Sequence, residues 1–318
     1  NHELHAGARE LFYDSLARMG CRVIQADRSS RSVLAQGKSD PSIAEADIAY
    51  GQPDSGDVVR NSKLRWVALS TAGYTRYDSE MFRLTMTTRG TVVTNASSVF
   101  AGPCAEHALA MMMSFTRELP RYILNQAGPR EWNYGPGRYS IETLSHKTVV
   151  VLGYGAIGQR LAQLLAPFGC RFIGFRRAAR GDEEVEIVNS SELPSVLSLA
   201  DHVVNCLPEG GSTQRFCNEA FFARMRRGAY FYNIGRGATV DQSALVKALQ
   251  SGQVGGAYLD ALDPEPLPPE HPLWAAPNCQ ITPHLAGGHQ GQDESLMRHF
   301  TDNLRRYISQ QPLVDRFI

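Results

Sequence analysis

The 318-residue chain has no net charge, because 32 lysines and arginines are balanced by 32 aspartates and glutamates. A balanced charge argues against nucleic acid or an anionic membrane surface as the main partner. No apolar run approaches the roughly 18 residues of a membrane-spanning helix, so no membrane segment is expected. Hydrophobic residues at 43% and charged residues at 20% are ordinary for a globular protein, and the length predicts two domains.

The chain has few cysteines, six in all, and none of them lies in a C-x-x-C pair. The common zinc and dithiol motifs are therefore missing, and no metal site is expected. No amino-terminal signal sequence is recognisable, so we expect a cytoplasmic protein with reduced thiols. The chain does not begin with methionine, and the sequence leaves open whether a strand precedes Asn1.

The first hundred residues alternate between helical and strand patterns. Residues 10–19 predict a helix with apolar side chains near one face, and Gly20 ends it. Short strands are predicted at residues 21–24, 47–50, 64–69 and 92–95. Residues 104–119 predict a long helix rich in Ala, Leu and Met, which stops before Pro120.

From Thr148 onward the pattern becomes a regular series of strands and helices. Strands are predicted at residues 148–152, 171–175, 202–207, 229–233, 256–260 and 279–282. The first is an unbroken apolar run, as a strand buried on both faces should be. Helices are predicted at residues 192–199, 218–225, 241–251 and 293–308, with Asp241 as an N-cap. Repeated strand–helix–strand units predict a parallel, doubly wound sheet.

A glycine-rich segment follows the strand at residues 148–152 and opens a helix, which is the context of a dinucleotide-binding fingerprint. Gly153 permits the tight turn, Gly155 lets the backbone approach a pyrophosphate, and Gly158 allows close helix–sheet packing. The start of the helix then offers N–H groups and a positive dipole to phosphates. The predicted contacts in this turn are Gly153, Gly155, Ala156, Ile157 and Gly158.

The end of the next strand bears on the choice between NAD and NADP. NAD-specific folds usually place an acidic residue there, which binds the ribose 2′-hydroxyl. This chain has Arg176 and Arg177 at that place, and two cations would attract the 2′-phosphate of NADP. NADP is therefore the expected cofactor, and NAD is the alternative if the two arginines form only a solvated basic turn.

Three segments in the last third of the chain carry a guanidinium, a carboxylate and an imidazole, on Arg236, Glu265 and His284. Arg236 lies between two glycines and could hold a substrate carboxylate with its planar fork. His284 could give a proton to a carbonyl oxygen and take it back in the reverse reaction. Glu265 could orient the imidazole and favour its charged form. This combination suits the reduction of a 2-oxo acid.

In this order, the fingerprint and the three catalytic segments resemble the D-isomer-specific 2-hydroxyacid dehydrogenase family, from about Leu64 to the carboxyl terminus. Residues 233–237, the pair Glu265-Pro266 and residues 272–284 fit the family's pattern. The resemblance implies an α/β fold of two doubly wound domains. A Rossmann dinucleotide-binding domain (residues 104–284) is inserted in a flavodoxin-like substrate-binding domain (residues 1–103 and 285–318). It also implies a homodimer through the helix that starts near Cys104.

The resemblance adds further site residues. The backbone N–H groups around Ala72, Gly73 and Tyr74 are expected to bind the substrate carboxylate, although family members often have a small aliphatic residue where Tyr74 stands. Asp260 is expected to hydrogen-bond the nicotinamide carboxamide, and the other interpretation is a cap of the following turn. The remaining implied cofactor contacts are Leu207, Pro208, Thr213, Ile234 and His284.

These features predict an NAD(P)-dependent D-2-hydroxyacid dehydrogenase that works mainly as a reductase of a small 2-oxo acid, of the glyoxylate or hydroxypyruvate type. Glu265 argues against formate, because the family's formate dehydrogenases carry glutamine there and release no alcohol proton. The alternative is a dinucleotide-sensing protein similar to the family's corepressors, which retain the same three residues. The sequence gives neither the substrate nor the physiological direction.

Overall fold

The computed structural model describes residues 6–26, 37–132, 134–179, 181 and 183–318. The chain divides into two compact units. The first unit is Asn1–Phe100 with Gly288–Ile318, and the second unit is Ala101–Gly287. The boundaries expected from the sequence differ by three residues at each junction, at 103 against 100 and at 284 against 287.

Eleven α-helices lie in the described part of the chain. They are α1 (Ala6–Arg18), α2 (Ser55–Arg60), α3 (Glu80–Arg89), α4 (Ser97–Thr116), α5 (Leu119–Ala127), α6 (Tyr134–Ser140), α7 (Ala156–Leu165), α8 (Leu193–Leu197), α9 (Glu219–Arg224), α10 (Gln242–Gln250) and α11 (Gln292–Ile308). Short 3₁₀ turns join several of them, including Gly237–Thr239 after the segment that carries Arg236.

Ten strands lie in the same described ranges. They are β1 (Ile48–Gly51), β2 (Trp66–Leu69), β3 (Val92–Thr94), β4 (Thr148–Leu152), β5 (Arg171–Phe175), β6 (Glu186–Val188), β7 (His202–Asn205), β8 (Ala229–Asn233), β9 (Val254–Leu259) and β10 (Cys279–Ile281). All of them pair in parallel, which is the pattern of sheets whose strands are joined by helices.

The first unit contains a three-stranded parallel sheet in the order β1-β2-β3. Trp66 of β2 is fully buried and stacks on Phe300 of α11, with ring centroids 5.1 Å apart. The indole N–H of Trp66 donates to Thr94 Oγ1 at 3.0 Å, so its polar atom is satisfied inside the core. The opposite face packs on α2 and α3 through Val58 and Phe82. Helices on both faces of a parallel sheet confirm the predicted α/β class.

The strand predicted at residues 21–24 is wrong, because residues 21–26 adopt no regular secondary structure. These residues line a cavity of about 540 Å³ together with Ile48 and Tyr50 of β1. A strand forms only where a neighbour pairs with its backbone groups, and no described strand pairs with this segment. The apolar pattern therefore indicated only a local preference for an extended backbone.

The helix predicted at residues 104–119 is also corrected, since α4 begins at Ser97 and ends at Thr116. The prediction followed the residues rich in Ala, Leu and Met, but the helix also includes Pro103 and the six residues before it. The earlier start is stabilised by two side-chain oxygen atoms: the amide Oδ1 of Asn95 accepts the Ser97 N–H at 3.1 Å, and the carboxylate Oδ2 of Asp315 accepts the Ser98 N–H at 2.8 Å.

The second unit contains a seven-stranded parallel sheet in the order β10-β9-β8-β7-β4-β5-β6. The chain runs outward from β4 in one direction through β5 and β6, and in the other through β7 to β10. This is a doubly wound Rossmann sheet, as predicted. Its strand order reverses between β4 and β7, and ligands of such sheets bind beside the carboxyl ends of the strands at that point. The sequence missed β6, which has only three residues and begins with an exposed glutamate.

Candidate active site

The glycine-rich turn joins β4 to α7 at the point where the strand order reverses. Gly153 has φ +90°, and a Cβ there would lie 3.0 Å from the carbonyl oxygen of Cys206. Gly158 packs as closely, since its Cβ would lie 3.1 Å from Gly153 O. Beside Gly155, by contrast, the space is open. The three glycines thus provide the tight turn, the open approach and the close packing expected of them.

The first turn of α7 has N–H groups to offer to an anion. Gly155 is the N-cap and has no side chain to occupy them. The first hydrogen bond that crosses into the helix is donated by the Gln159 N–H to Gly155 O at 2.9 Å. The N–H groups of Ala156 and Ile157 precede it, and such groups have no partner inside a helix. With the helix dipole, they suit a phosphate group.

The two arginines after β5 differ in their surroundings. Arg176 Nη1 donates to Glu183 Oε1 at 2.8 Å, and the side chain of Glu183 is only 5% exposed. Glu183 Oε2 also accepts the Gly181 N–H at 2.8 Å. Arg177 is exposed, and its side chain forms no hydrogen bond or ion pair with any described residue. The charge of Arg176 is therefore balanced, whereas that of Arg177 is available.

The loop after β7 forms a wall beside the glycine-rich turn. Leu207 is buried, and its N–H donates to Asn205 Oδ1 at 3.2 Å. Ile234 is buried as well, and its N–H donates to Asn205 O at 3.1 Å. Thr213 donates its hydroxyl proton within its own loop, to Pro208 O at 2.7 Å. A phosphate contact from Thr213 would thus need its hydroxyl to rotate.

A buried amide network fixes the segment that carries Arg236. Asn205 Nδ2, at the end of β7, donates to Asn233 Oδ1 at 2.9 Å and to Thr239 Oγ1 at 2.7 Å. The Thr239 hydroxyl then donates to the carbonyl oxygen of Arg236 at 2.6 Å. Asn205 and Thr239 lie outside the motifs recognised in the sequence. The available signal was an asparagine at the carboxyl end of each of two adjacent strands.

Gly237 brings the backbone after Arg236 against the loop that carries Glu265. A Cβ at Gly237 would lie 1.9 Å from the carbonyl carbon of Leu262, so only glycine fits. Arg236 Nη1 donates to Gly235 O at 2.7 Å. The charge of Arg236 also contributes to the electrostatic environment of Glu265, which places the two side chains in one neighbourhood.

Glu265 and His284 form a hydrogen-bonded pair. His284 Nδ1 lies 2.9 Å from Glu265 Oε2 and 3.1 Å from Oε1, and Oε1 also accepts the Leu262 N–H at 2.9 Å. Burial raises the pKa of Glu265, but these hydrogen bonds and the charges of His284 and Arg236 outweigh it and lower the pKa overall. An ionised carboxylate accepts a hydrogen bond and so keeps a proton on Nδ1, which leaves Nε2 outside this pair.

The backbone at His284 is in the left-handed region, with φ +55°. Asp260 holds it there: its carbonyl oxygen accepts the His284 N–H at 2.9 Å. Its buried carboxylate accepts the N–H of Leu285 through Oδ1 at 2.7 Å and that of Ala286 through Oδ2 at 2.9 Å. Asp260 therefore secures the loop after His284 rather than capping the turn that directly follows Asp260, and the contact with nicotinamide stays a prediction.

The predicted carboxylate-binding loop lies in the first unit. The N–H groups of Ala72 and Gly73 donate to no other described residue, while Asn95 Nδ2 steadies the loop by donating to Ala72 O at 2.9 Å. Tyr74 stacks on Phe317, with ring centroids 4.5 Å apart and planes at 27°. Adjacent N–H groups of this kind suit a carboxylate. Among the described residues, no group of His, Cys, Asp and Glu side chains could hold a metal ion.

No helix within the described ranges combines the length and apolar character needed to span a membrane.

Comparisons with known proteins agree with this geometry. The model of the D-isomer specific 2-hydroxyacid dehydrogenase, NAD binding domain, matches residues 109–286. The glyoxylate reductase/hydroxypyruvate reductase of Homo sapiens is 32% identical over 71% of this chain and 69% of that protein. The mouse (Mus musculus) protein of the same name is 36% identical over 62% of this chain and 61% of its own length.

A solved structure is similar over nearly the whole chain. It is the D-isomer specific 2-hydroxyacid dehydrogenase from Xanthobacter autotrophicus Py2 in complex with NADPH and MES. Its TM-score is 0.80 at 27% identity, and the match covers 99% of this chain and 95% of that one. Together with the family model, these similarities confirm the prediction made from the sequence: the chain belongs to the D-isomer-specific 2-hydroxyacid dehydrogenase family.

Proposed function

We propose that the protein is an NADP-preferring D-2-hydroxyacid dehydrogenase that reduces a small 2-oxo acid, of the glyoxylate or hydroxypyruvate type. The observation that carries this proposal is the Glu265–His284 pair, with Nδ1 and Oε2 2.9 Å apart. An oriented, exchangeable imidazole proton is what a carbonyl reduction needs. The human and mouse relatives, named glyoxylate reductase/hydroxypyruvate reductase, support this substrate class.

His284 handles the proton of the reaction. The reduced nicotinamide, when bound, supplies a hydride to C2 of the oxo acid. His284 donates its Nε2 proton to the carbonyl oxygen, so that hydride and proton together convert the carbonyl group to an alcohol. Glu265 stabilises the protonated imidazole and keeps the ring in one orientation through Nδ1. In the oxidative direction, neutral His284 takes the alcohol proton.

Arg236 binds the substrate carboxylate and polarises the carbonyl group. A guanidinium fork matches a carboxylate in two parallel hydrogen bonds, which fixes the substrate's orientation as well as its charge. We also assign Ala72 and Gly73 of the first unit to substrate binding, because their N–H groups donate to no other described residue. Tyr74, which stacks on Phe317, belongs to the same proposed substrate loop.

The residues of the second unit fit a dinucleotide, and we assign them to it. The first turn of α7 would hold the pyrophosphate, and the exposed Arg177 would meet the 2′-phosphate of NADP. Asp260 Oδ2 accepts one hydrogen bond and retains a lone pair for the nicotinamide amide. The wall residues in this assignment are Leu207, Pro208, Thr213 and Ile234. The Xanthobacter autotrophicus structure contains NADPH, which favours NADP over the alternative, NAD.

We further propose a homodimer. The helix predicted to form the dimer contact is α4, on which Met113 is exposed. The exposed apolar side chains of the following helix, α5, are Leu119, Ile123 and Leu124. Apolar side chains that are exposed together commonly mark an interface between subunits. All six cysteines are free, which supports the expectation of a reducing compartment such as the cytoplasm.

The test is turnover of the purified protein. NADPH consumption is followed by absorbance with glyoxylate, hydroxypyruvate and a panel of larger 2-oxo acids, and NADH is run in parallel. We expect turnover with at least one small 2-oxo acid and a higher kcat/KM with NADPH. Tight NADPH binding without turnover of any 2-oxo acid would contradict the proposal and favour a dinucleotide-sensing protein.

A further inference from the structure

A continuous chain of side-chain hydrogen bonds runs from α4 to Asp260. His107 Nε2 contacts the phenolic oxygen of Tyr258, and Tyr258 Oη lies 2.5 Å from Thr282 Oγ1. Thr282 Oγ1 in turn lies 2.5 Å from Asp260 Oδ1, the atom that also accepts the N–H of Leu285. The chain therefore ends at the carboxylate that holds the backbone beside His284.

The number of protons fixes the direction of this chain. A carboxylate only accepts hydrogen bonds, so the single proton of Thr282 is donated to Asp260. The proton of Tyr258 then lies toward Thr282, because two oxygen atoms do not approach so closely without one, and Asp260 Oδ1 is a more distant second acceptor at 3.4 Å. The remaining contact needs a proton as well, and His107 supplies it from Nε2. Donation accordingly runs from His107 to Tyr258, Thr282 and Asp260.

We propose that Tyr258 is a positioning residue for His284, acting through Thr282 and Asp260 with His107 as the terminal donor. The inference rests on the proposed function of His284 as the proton donor. Tyr258 is fully buried, so its hydroxyl depends on these partners. Burial raises the pKa of Tyr258, and the hydroxyl therefore keeps the proton that the chain requires.

The backbone conformation at His284 explains why such support matters. A non-glycine residue with φ +55° is uncommon, and the surrounding structure has to hold it there. Asp260 does so through its carbonyl oxygen and carboxylate. If the carboxylate lost the Thr282 hydroxyl, it could rotate and release the segment. A misplacement of about 1 Å costs on the order of 100-fold in rate, so a partial release should be measurable.

The sheet offers a matched control. Tyr232 of β8 is the in-register neighbour of Tyr258 on β9, and both side chains are fully buried. Tyr232 Oη also pairs with a histidine, at 3.0 Å from His202 Nδ1. Replacing either tyrosine with phenylalanine removes one buried hydroxyl and leaves one imidazole without its partner. Of the two tyrosines, only Tyr258 belongs to the hydrogen-bonded chain that ends at Asp260, beside His284.

The experiment compares Tyr258→Phe with Tyr232→Phe in stability, NADPH affinity and turnover. Both variants should lose stability, Tyr258→Phe the more because its hydroxyl has more partners, and both should keep NADPH affinity within about twofold. Only Tyr258→Phe should lower kcat, by about tenfold, with little change in KM. Thr282→Val should repeat this loss, and Thr282→Ser, which keeps a hydroxyl, should restore most of it. Equal kcat values for the two tyrosine variants would overturn the proposal.

Two measurements need no turnover, and they separate this proposal from the proposed function. Hydrogen exchange of the Leu285 and Ala286 amides should accelerate in Tyr258→Phe but not in Tyr232→Phe. The ¹⁵N spectrum of the wild-type protein should show His107 Nε2 as a protonated nitrogen. An unprotonated Nε2 or unchanged exchange would refute the positioning chain. A wild-type protein that reduces no 2-oxo acid would refute only the proposed function.

Discussion

The segment around His284 and the turn around Arg177 lie in the same unit, but different interactions fix their polar side chains. Near His284, a buried carboxylate accepts backbone N–H groups, and Asp260 is only 3% exposed. Near Arg177, the side chain is exposed, and the neighbouring Arg176 is held by one ion pair with Glu183. The first region is fixed by hydrogen bonds and the second is governed by charge.

The two regions should therefore respond differently to substitution. Proton transfer depends on positions defined to a fraction of an ångström, so changes near His284 should alter kcat. Recognition of a 2′-phosphate depends on local charge, so changes near Arg177 should alter cofactor affinity and depend on ionic strength. The predictions below test this distinction, beginning with the largest expected effect.

Removing the imidazole should have the largest effect. His284→Asn should lower kcat by roughly 10²–10⁴-fold, the usual cost of a lost general acid, with little change in NADPH affinity. Asparagine is chosen because it tolerates the positive φ of His284 better than alanine does. His146→Asn is the matched control, since His146 also has a positive φ, of 61°. Near-normal turnover of His284→Asn would exclude His284 as the proton donor.

Glu265→Gln should change the pH dependence of the reaction. Because the pKa of Glu265 is lowered, its carboxylate is ionised at every pH above the ordinary value of 4.5. Its pair with His284 is lost only when the pH falls below the lowered pKa. Without that charge the protonated imidazole is less favoured, so the reductive rate should decline at a lower pH than in wild type. The kcat/KM profile measures this; an unchanged profile would mean that Glu265 does not assist protonation.

Sequence analysis predicted the second unit more accurately than the first. The bounds predicted for β4, β5 and β8 match the structure, because each is an apolar run delimited by glycine or polar residues. The strand predicted at residues 21–24 failed because a strand also requires a partner, and pairing is not a local property. The start of α4 was missed in part because one of its two stabilising acceptors, Asp315, lies 217 residues away.

The candidate site was predictable where its chemistry lies in short motifs. Arg236, Glu265 and His284, which we propose as catalytic residues, and the three glycines were all found in this way. The supporting contacts were not, because they join residues that are distant in sequence. Tyr258 and His107 are 151 residues apart, and Asn205 and Thr239 are 34 apart. Likewise, the sequence gives no reason to assign different roles to the adjacent residues Arg176 and Arg177. The ion pair between Arg176 and Glu183 distinguishes them in the structure.

The exposed arginine should dominate the choice of cofactor. A charge-assisted hydrogen bond contributes about 1.5–3 kcal/mol, so Arg177→Gln should weaken NADPH binding about tenfold or more and leave NADH nearly unchanged. The control is the double variant Arg176→Gln/Glu183→Gln, which removes one ion pair and no net charge. It should change NADPH affinity by less than about threefold. Equal losses in both variants would mean that Arg176 also binds the 2′-phosphate.

The smallest effect should come from Glu183→Gln alone, and its sign is informative. The substitution leaves the charge of Arg176 unbalanced beside Arg177, so NADPH should bind a few-fold more tightly, equivalent to about 0.5–1 kcal/mol. The gain should shrink as ionic strength rises, because screening acts on partly exposed charges. Titration of NADPH and NADH at two salt concentrations measures both features. Weaker NADPH binding would show instead that Glu183, which also accepts the Gly181 N–H, chiefly holds the turn in place. In that case the region around Arg177 would depend on fixed geometry, as the region around His284 does.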